Sequence, residues 1–463
     1  MTDKLSSSWV IAFVVSLGGF IFGFDASVIS GVIGFVEQEF NLTSWQQGFV
    51  VSAPTLGAIL ANFGAGYFSD RLGRKPVLII IAILYSISAL LSAFAFSYSM
   101  LVLARFIGGL AFASLILGPL YIAEISPAAK RGRFVSLNQL NIMIGFSAAY
   151  FANYFILKLA QVDVYLLDLV NFKQHIWRWM LGIEAVPAII YACLLAFVPR
   201  SPRWLVLNNR PKEAKQILAR MMQPEEAQRQ WQEISASQCS EQLPLKLGLS
   251  KVFSSKMRMV LTIGLLVGII QQITGINAVY FYAPTIFEQT GIGKDAAFAQ
   301  AAMVGVVNLV FTIIAMLLID RLGRKPLMII GLIGVTVSMS VCAYGFSQAQ
   351  YDPRLILGGI LGFVASFAIS LGPVMWVLLS EIFPNNIRAL GIAVVGVINS
   401  VVSYIVQLLF PWQLEYLGAS VTFAIYAGFA LVGLLLVSRI LPETRGVSLE
   451  QLEQRLTREQ AYA

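Results

Sequence analysis

The heptapeptide DRLGRKP stands at residues 70–76 and again, letter for letter, at residues 320–326. Each copy closes a long apolar run and opens another. Gly73 and Gly323 permit a tight reversal, and Pro76 and Pro326 can start a following helix. The arginines belong in the phosphate and water layer beside a membrane. A second pair of segments lies in the same order. AEISPAAKRGR (123–133) and SEIFPNNIRAL (380–390) share Glu, Pro three residues later and Arg seven residues later: Glu124/Pro127/Arg131 and Glu381/Pro384/Arg388. Two markers at matching places mean that half of the chain repeats the other half in parallel orientation.

Composition says what is repeated. Of the 463 residues 58% are hydrophobic and only 12% charged, with mean hydropathy +0.77. Soluble domains carry about twice that share of charge. No globular core absorbs so much apolar surface, whereas a bilayer does. Runs long enough to span it lie near 9–34, 47–69, 77–97, 100–123, 134–157, 177–198, 258–287, 297–319, 327–347, 354–383, 388–410 and 418–441. The first has no small-residue cleavage site and reads as a retained helix. The expected architecture is an all-α integral membrane protein of twelve transmembrane helices in two six-helix pseudo-repeats. Its parts are residues 1–198, a cytoplasmic helical linker at 199–257, residues 258–441 and a cytoplasmic tail at 442–463. In the linker, NRPKEAKQILARM and PEEAQRQWQEI read as short amphipathic helices with proline in the first turn.

Charge sets the orientation. With the amino terminus inside, the inner segments hold 26 of the 32 Lys/Arg and the outer gaps 4, while Arg105 and Arg178 fall inside spans. By the positive-inside rule both termini face the cytoplasm of the cell (inner) membrane. The net charge of +8 then reflects topology, and no nucleic-acid partner is implied. Cys193 and Cys342 lie in spans and Cys239 in the linker, so neither a disulfide framework nor a metal-ligand spacing is visible. With no phosphate-binding glycine loop and no nucleophile–base pair, the chain is not expected to be an enzyme or to need a cofactor or metal.

Ionisable residues inside a membrane mark function by default. Asp25, Arg105 and Glu184 share one depth in the outer half of the first six spans. A carboxyl group there is ionised while paired with Arg⁺ and protonatable when the pair opens, which is what proton coupling requires. The bland alternative is a permanent ion pair, with Glu184 orienting Arg105 or Arg178. Near the midplane lie five amides: Gln139, Gln271, Gln272, Asn308 and Asn399. Amides offer donors and acceptors to the vicinal hydroxyls of a neutral ligand, and Trp376, after Gly372-Pro373, offers an apolar face. Any one amide alone would be read as a bond between neighbouring helices; five with a tryptophan suggest a site. At the inner ends, Arg71, Arg74, Arg321 and Arg324 are expected to pair with Glu124 and Glu381, and with Glu443, as a cytoplasmic latch. Asp70, Asp320, Arg131 and Arg388 belong to the same clusters. The alternative is a turn that only anchors the chain.

Here the sequence resembles the sugar porters of the major facilitator superfamily, over nearly its whole length. The likeness rests on GFDASVISG (23–31), both DRLGRKP turns, RFIGGL (105–110), YIAEISPAAKRGR (121–133), QQITGINAVYFYAP (271–284), GPVMWVLLSEIFPN (372–385) and PETRG (442–446). It is greatest to the bacterial proton-coupled xylose symporters and more distant to the mammalian glucose facilitators. The resemblance implies alternating access, with a sugar and a proton as partners and sugar bound at the midplane between the halves. It also implies that Asp25 is the proton carrier, since family symporters carry Asp there and facilitators a neutral residue. Gln139, Gln271, Gln272, Asn277, Asn308 and Trp376 match positions that contact sugar, and Phe22 and Tyr282 match aromatic positions that line or close the cavity. Span 7 looks broken at Gly275, as suits a moving gate. In three places the family pattern is absent: Phe146 replaces a glutamine, Ser400 a tryptophan and Arg200 the acid of a Pro-Glu-Ser-Pro-Arg segment, so the preferred sugar need not be xylose.

The first expectation is thus a proton-coupled symporter of pentoses or hexoses, working as a monomer in the lipid bilayer. A sugar or polyol uniporter on the same fold would make Asp25 structural. A sugar sensor would be expected to carry a longer tail. A multidrug antiporter would be expected to have a glycine-proline run in span 5. His175, in an outer loop, reads as a surface residue.

Overall fold

The structure, a computed structural model, describes residues 2–126, 131–162, 165, 171–237, 245–384 and 387–445. Pro127, Cys239 and residues 446–463 of the expected tail lie outside the described residues, as does the side chain of Arg131. Every regular element among the described residues is a helix, and twelve spans are long and apolar enough to cross a membrane. The chain divides into two compact units, unit 1 comprising Met1–Asn41 and Ala53–Gln242, and unit 2 comprising Leu42–Ser52 and Leu243–Ala463.

In unit 1 the spans are α1 (Thr2–Phe40), α2 (Ser44–Leu72, whose first turns belong to unit 2), α3 (Arg74–Ala93), α4 (Tyr98–Leu110) with α5 (Ser114–Ile125), α6 (Arg131–Leu159), and α7 (Ile176–Gly182) with α8 (Ala185–Phe197). Two of these six spans are broken midway. A 3-10 turn at Ala111–Ala113 separates α4 from α5, and Ile183–Glu184 separates α7 from α8. Three short helices follow: α9 (Pro202–Leu207), α10 (Pro211–Met221) and α11 (Pro224–Ser237), each with proline at its first residue. Their stripe of Trp204, Leu205, Leu218, Met221 and Ile234 joins the buried core of unit 1. The linker segment through residue 237 therefore packs as part of that unit.

Unit 2 holds α12 (Leu245–Val252), α13 (Arg258–Ile273) with α14 (Ile276–Glu288), α15 (Lys294–Leu322), α16 (Arg324–Ser347), α17 (Pro353–Ile369) with α18 (Leu371–Ile382), α19 (Arg388–Tyr416) and α20 (Gly418–Ile440). The break between α13 and α14 falls at Gly275, whose φ of 88° is left-handed. A Cβ there would also sit 2.7 Å from the Tyr426 ring. The break between α17 and α18 falls at Ser370.

The repeat is visible atom by atom at the two DRLGRKP turns. Gly73 has φ 92° and ψ 158°, and Gly323 has φ 93° and ψ 166°. That region is open almost only to glycine. Beyond each turn the helix sends the same apolar stripe outward: Ile80, Ile83 and Ile87 on α3, and Ile330, Ile333 and Val337 on α16, all between 41% and 57% exposed. Stripes like these suit lipid and are rare in water.

Each turn is fastened within its own unit. Arg74 is 3.0 Å from both Asp70 and Glu124, and Arg324 is 3.2 Å from Asp320 and 2.7 Å from Glu381. A hydroxyl completes each: Ser201 Oγ donates to Glu124 at 2.5 Å and Thr444 Oγ1 to Glu381 at 2.6 Å. Pro199-Arg200-Ser201 thus stands in unit 1 where Pro442-Glu443-Thr444 stands in unit 2. Between them the fastening differs. Glu443 accepts from the backbone N–H groups of Arg324 (3.1 Å) and Lys325 (3.0 Å) and so caps α16. In unit 1 the Trp204 ring covers Gly73 instead, its Nε1 donating to Asp70 O at 2.8 Å. Burial alone would push the Glu443 carboxyl up, but the N–H groups of Arg445, Arg324, Lys325 and Thr444 outweigh it and hold the group below its ordinary value.

Gly323→Ala is expected to lower the melting temperature of the purified protein. The backbone strain alone is about 1–3 kcal/mol, and the added Cβ would lie 2.8 Å from Glu443 Oε2. Gly34→Ala, in a helix with open space around it, is the control and should leave melting unchanged.

Candidate functional site

Two polar clusters stand out inside the helical core, one in each unit. The first comprises Asp25 on α1, Arg105 on α4 and Glu184 at the α7–α8 break, with exposures of 0%, 2% and 1%. Arg105 Nη1 donates to Asp25 Oδ1, and Nη2 donates to the Asp25 carbonyl at 3.2 Å. Glu184 stands beside this pair, near enough to feel the charges of both Asp25 and Arg105. Asp25 Oδ2, Glu184 Oε1 and Arg105 Nε have no hydrogen-bond partner among the described residues. Two carboxyl groups thus face one guanidinium in a dry site. One positive charge offsets one carboxylate only, so the second carboxyl is costly unless it keeps a proton.

The second cluster is an amide network in unit 2. At its hub Asn399 Nδ2 donates to Gly268 O and to Gln271 Oε1, both at 2.8 Å, while Asn399 Oδ1 accepts from Gln272 Nε2 at 3.2 Å. Gln271 Nε2 donates to Leu371 O at 3.0 Å, a carbonyl beside the α17–α18 break. Asn277 Nδ2 reaches Gln272 Oε1 (2.7 Å) and Ser403 Oγ (2.6 Å), and Gln407 Nε2 donates to Ser403 Oγ at 2.8 Å. Both breaks serve this network. Gly275 turns the chain between Gln272 and Asn277, and Gln271 reaches Leu371 O at the first residue of α18. Asn308 lies apart on α15, its Oδ1 accepting from Tyr280 OH at 2.9 Å. Tyr282 departs from helical geometry (φ −125°) and donates to Gln407 O at 3.3 Å. Trp376 on α18 is 48% exposed.

On unit 1, Gln139 is exposed on α6 and bonds to none of the described residues. Phe22 packs edge-on against Phe112 at 4.6 Å and Phe146 at 6.5 Å. Phe146 therefore extends an aromatic wall where the resembled symporters carry an amide.

The charged inner residues sort differently from a simple pairing of arginines with acids. Arg74 and Arg324 take Glu124 and Glu381, as given above. Arg71 instead donates to Tyr67 OH at 3.0 Å, Arg388 Nε to Phe383 O at 3.3 Å, and Glu443 caps backbone. Among the described residues Arg321 forms no ion pair. His175 is half-buried at the start of α7. The network members that the sequence reading passed over are Ser403, Gln407 and Tyr280. The first two were legible, since Asn399, Ser403 and Gln407 recur every fourth residue along one face of α19.

Comparison with known proteins gives this geometry a lineage. The sugar (and other) transporter family matches residues 11–456. The arabinose-proton symporter of Bacillus subtilis is 36% identical over 96% of this chain and 94% of its own length. The D-xylose-proton symporter of Escherichia coli is 34% identical over 98% and 97%. Among solved structures, the inward-open xylose transporter XylE from E. coli aligns with a TM-score of 0.84 over 97% of this chain and 99% of its own, at 34% identity. The same protein bound to 6-bromo-6-deoxy-D-glucose aligns at 0.74, over 98% and 100%. With its whole length matched in sequence and in helical architecture, this chain belongs to the sugar transporter family and is a multi-pass membrane transporter of the major facilitator fold.

Proposed function

We propose that the protein is a proton-coupled symporter of a neutral pentose or hexose, working by alternating access as a monomer in the cell membrane with both termini cytoplasmic. The observation that carries the coupling is the buried Asp25–Arg105–Glu184 set, in which two carboxyl groups compete for one guanidinium. Asp25 carries the proton, Arg105 sets when it is released, and Glu184 holds or shares it. The relatives named as arabinose– and xylose–proton symporters agree with this reading. The sugar is held by Gln271, Gln272, Asn277 and Asn399, with Asn308, Gln139 and the aromatic faces of Trp376, Tyr282 and Phe22 completing the lining. In the absence of sugar the amides satisfy one another, so hydroxyl groups of the ligand take over bonds that already point to the right places. The pairs Arg74–Glu124 and Arg324–Glu381 act as fastenings of a cytoplasmic gate, to which Asp70, Arg71, Arg131, Asp320, Arg321, Arg388 and Glu443 belong. The inner segments (tails, loops and linker), which hold 26 of the 32 Lys and Arg, support the orientation.

Uptake of labelled pentoses, hexoses and inositol by proteoliposomes, with and without an inward proton gradient, tests this. Accumulation above the outside concentration is expected for one or more sugars, and only with the gradient. Equilibration that ignores the gradient would make the protein a uniporter and Asp25 a structural residue.

A further inference from the structure

Tyr85, Ser88 and Ser92 lie on one face of α3 and are all buried, Ser88 and Ser92 each 1% exposed. Within unit 1 this face leads from the outer end of α3 to Asp25. At that end Arg178 Nη1 donates to Ala93 O (3.2 Å) and Ala95 O (2.6 Å), while Nη2 holds Glu39 at 2.8 Å. The Arg178 and Glu39 side chains are 22% and 33% exposed. Ser92 immediately precedes Ala93, and its Oγ has no hydrogen-bond partner among the described residues. One turn further along the helix, Ser88 Oγ donates to Ala104 O at 2.8 Å, which leaves its lone pairs unused. A Cβ on Gly108 would sit 2.6 Å from Ser88 Oγ and 3.5 Å from Asp25 Oδ2. Both oxygens thus face the same point beside Gly108, which puts them within about 6 Å of each other, the reach of a single bridging water. Asp25 Oδ2 and Glu184 Oε1 are the next buried oxygens without a partner.

A buried hydroxyl with no partner costs stability, and an alanine in its place would not. Ser92 is thus hard to explain by packing alone. Its place in a file of oxygens with unused capacity, spaced by about one helical turn (roughly 6 Å), suggests a use. We propose that Ser92 and Ser88 form a proton-entry path inside unit 1, running from the Glu39–Arg178 rim to the Asp25–Glu184 pair. The proposal rests on the reading of Asp25 as the proton carrier. At each step a hydroxyl oxygen accepts a proton from the water on its outer side and releases its own to the water on its inner side, Ser88 first turning its O–H away from Ala104 O. One proton moves, and no group changes charge until the carboxylate takes it up. The charged and titratable groups facing the path are Asp25 from α1, Tyr85 from α3, Arg105 from α4 and Glu184 from the α7–α8 break, with Glu39 and Arg178 at its mouth. Tyr85 is engaged by Ser114, its OH 3.0 Å from Ser114 Oγ.

The test uses the full-length protein in proteoliposomes, with Ser92→Ala, Ser88→Ala, the double variant, Ser92→Thr and Asp25→Asn. Two rates are read: sugar exchange at equal concentrations on both sides, which needs no net proton movement, and the initial rate of proton-driven uptake in H2O and D2O across external pH. The alanine variants are expected to keep wild-type exchange, to slow driven uptake several-fold, most at high external pH where protons are scarce, and to raise the H2O/D2O rate ratio. Ser92→Thr, which keeps the hydroxyl, should restore driven uptake. If Asp25→Asn abolishes accumulation while the double variant matches wild type in driven rate and isotope ratio, the path is wrong and the carrier assignment stands. If Asp25→Asn itself accumulates sugar, the carrier assignment fails and the path falls with it. Loss of exchange together with driven uptake in both single alanine variants would make the hydroxyls structural and overturn the proposal.

Discussion

Asp25→Asn is expected to abolish accumulation of sugar against its gradient while leaving sugar exchange largely intact. Asparagine keeps the shape of the protonated carboxyl and cannot release a proton, so the variant resembles the loaded carrier permanently. Removing one partner of a buried ion pair normally costs about 3–5 kcal/mol. Here Glu184 stands close to Asp25 and can supply the missing negative charge to Arg105, so the fold should survive. Arg105→Ala has no such rescue, because two buried carboxyl groups would be left without a cation. The size of the effect follows from linkage. One pH unit is worth about 1.4 kcal/mol per proton, which is about a tenfold concentration ratio. One proton per sugar therefore allows roughly tenfold accumulation for each unit of gradient. The variant should reach an inside-to-outside ratio of unity whatever gradient is imposed. Steady-state ratios measured at two or more imposed gradients check this.

The second large effect is expected in sugar affinity. Asn399 ties Gln271 and Gln272 into one network through three hydrogen bonds to their amides and to Gly268 O. In Asn399→Ala the two glutamines lose their common partner and must be ordered by the sugar itself. Neutral hydrogen bonds are worth about 0.5–1.5 kcal/mol each. Losing two or three should weaken sugar binding by roughly ten- to a hundredfold, at 1.4 kcal/mol per factor of ten. Calorimetric titration of the purified protein measures it directly. Proton-driven accumulation at saturating sugar should persist, because the ionisable cluster is untouched. An unchanged Kd would remove the α19 face from the site.

The architecture was legible because it is written in long apolar runs and in a repeated motif, both of which survive any packing detail. Element ends were less so. The span expected to end at residue 34 continues as helix to Phe40, because Glu37, Gln38 and Glu39 are good helix formers that carry α1 beyond the apolar stretch. The break at Gly275 was foreseen because the glycine interrupts its span, whereas those at 111–113, at Ile183–Glu184 and at Ser370 were not, although Gly108-Gly109, Gly182 and Gly372-Pro373 stand beside them. The candidate site divides in the same way. Asp25, Arg105 and Glu184 announce themselves by charge in apolar surroundings. Ser88 and Ser92 do not, because serines are ordinary in membrane helices and only their placement beside Asp25 and the α3 end distinguishes them. The inner charges showed their motif and two of their partnerships, Arg74 with Glu124 and Arg324 with Glu381, but not the rest. Arg71 with Tyr67, and Glu443 on backbone N–H groups, depend on side-chain reach and on a chain turn after α20 that no spacing reveals.

The two inner turns began as copies, and the exchange of Glu443 for Arg200 at the equivalent place makes them respond differently to acid. Because the folded state holds the Glu443 carboxyl below its ordinary value, its contribution is complete above the usual carboxylate range and is lost as pH falls through the folded value. The turn in unit 1, braced by the Trp204 ring over Gly73, has no carboxylate at that place to protonate. Acid at this face loosens the cap on α16 and leaves the aromatic brace as it was. The Arg–Glu pairs are common to both turns. At this one place, though, a duplicated fastening has become a carboxylate cap in unit 2 and an aromatic brace in unit 1, so the loss of a cap in acid belongs to unit 2 alone.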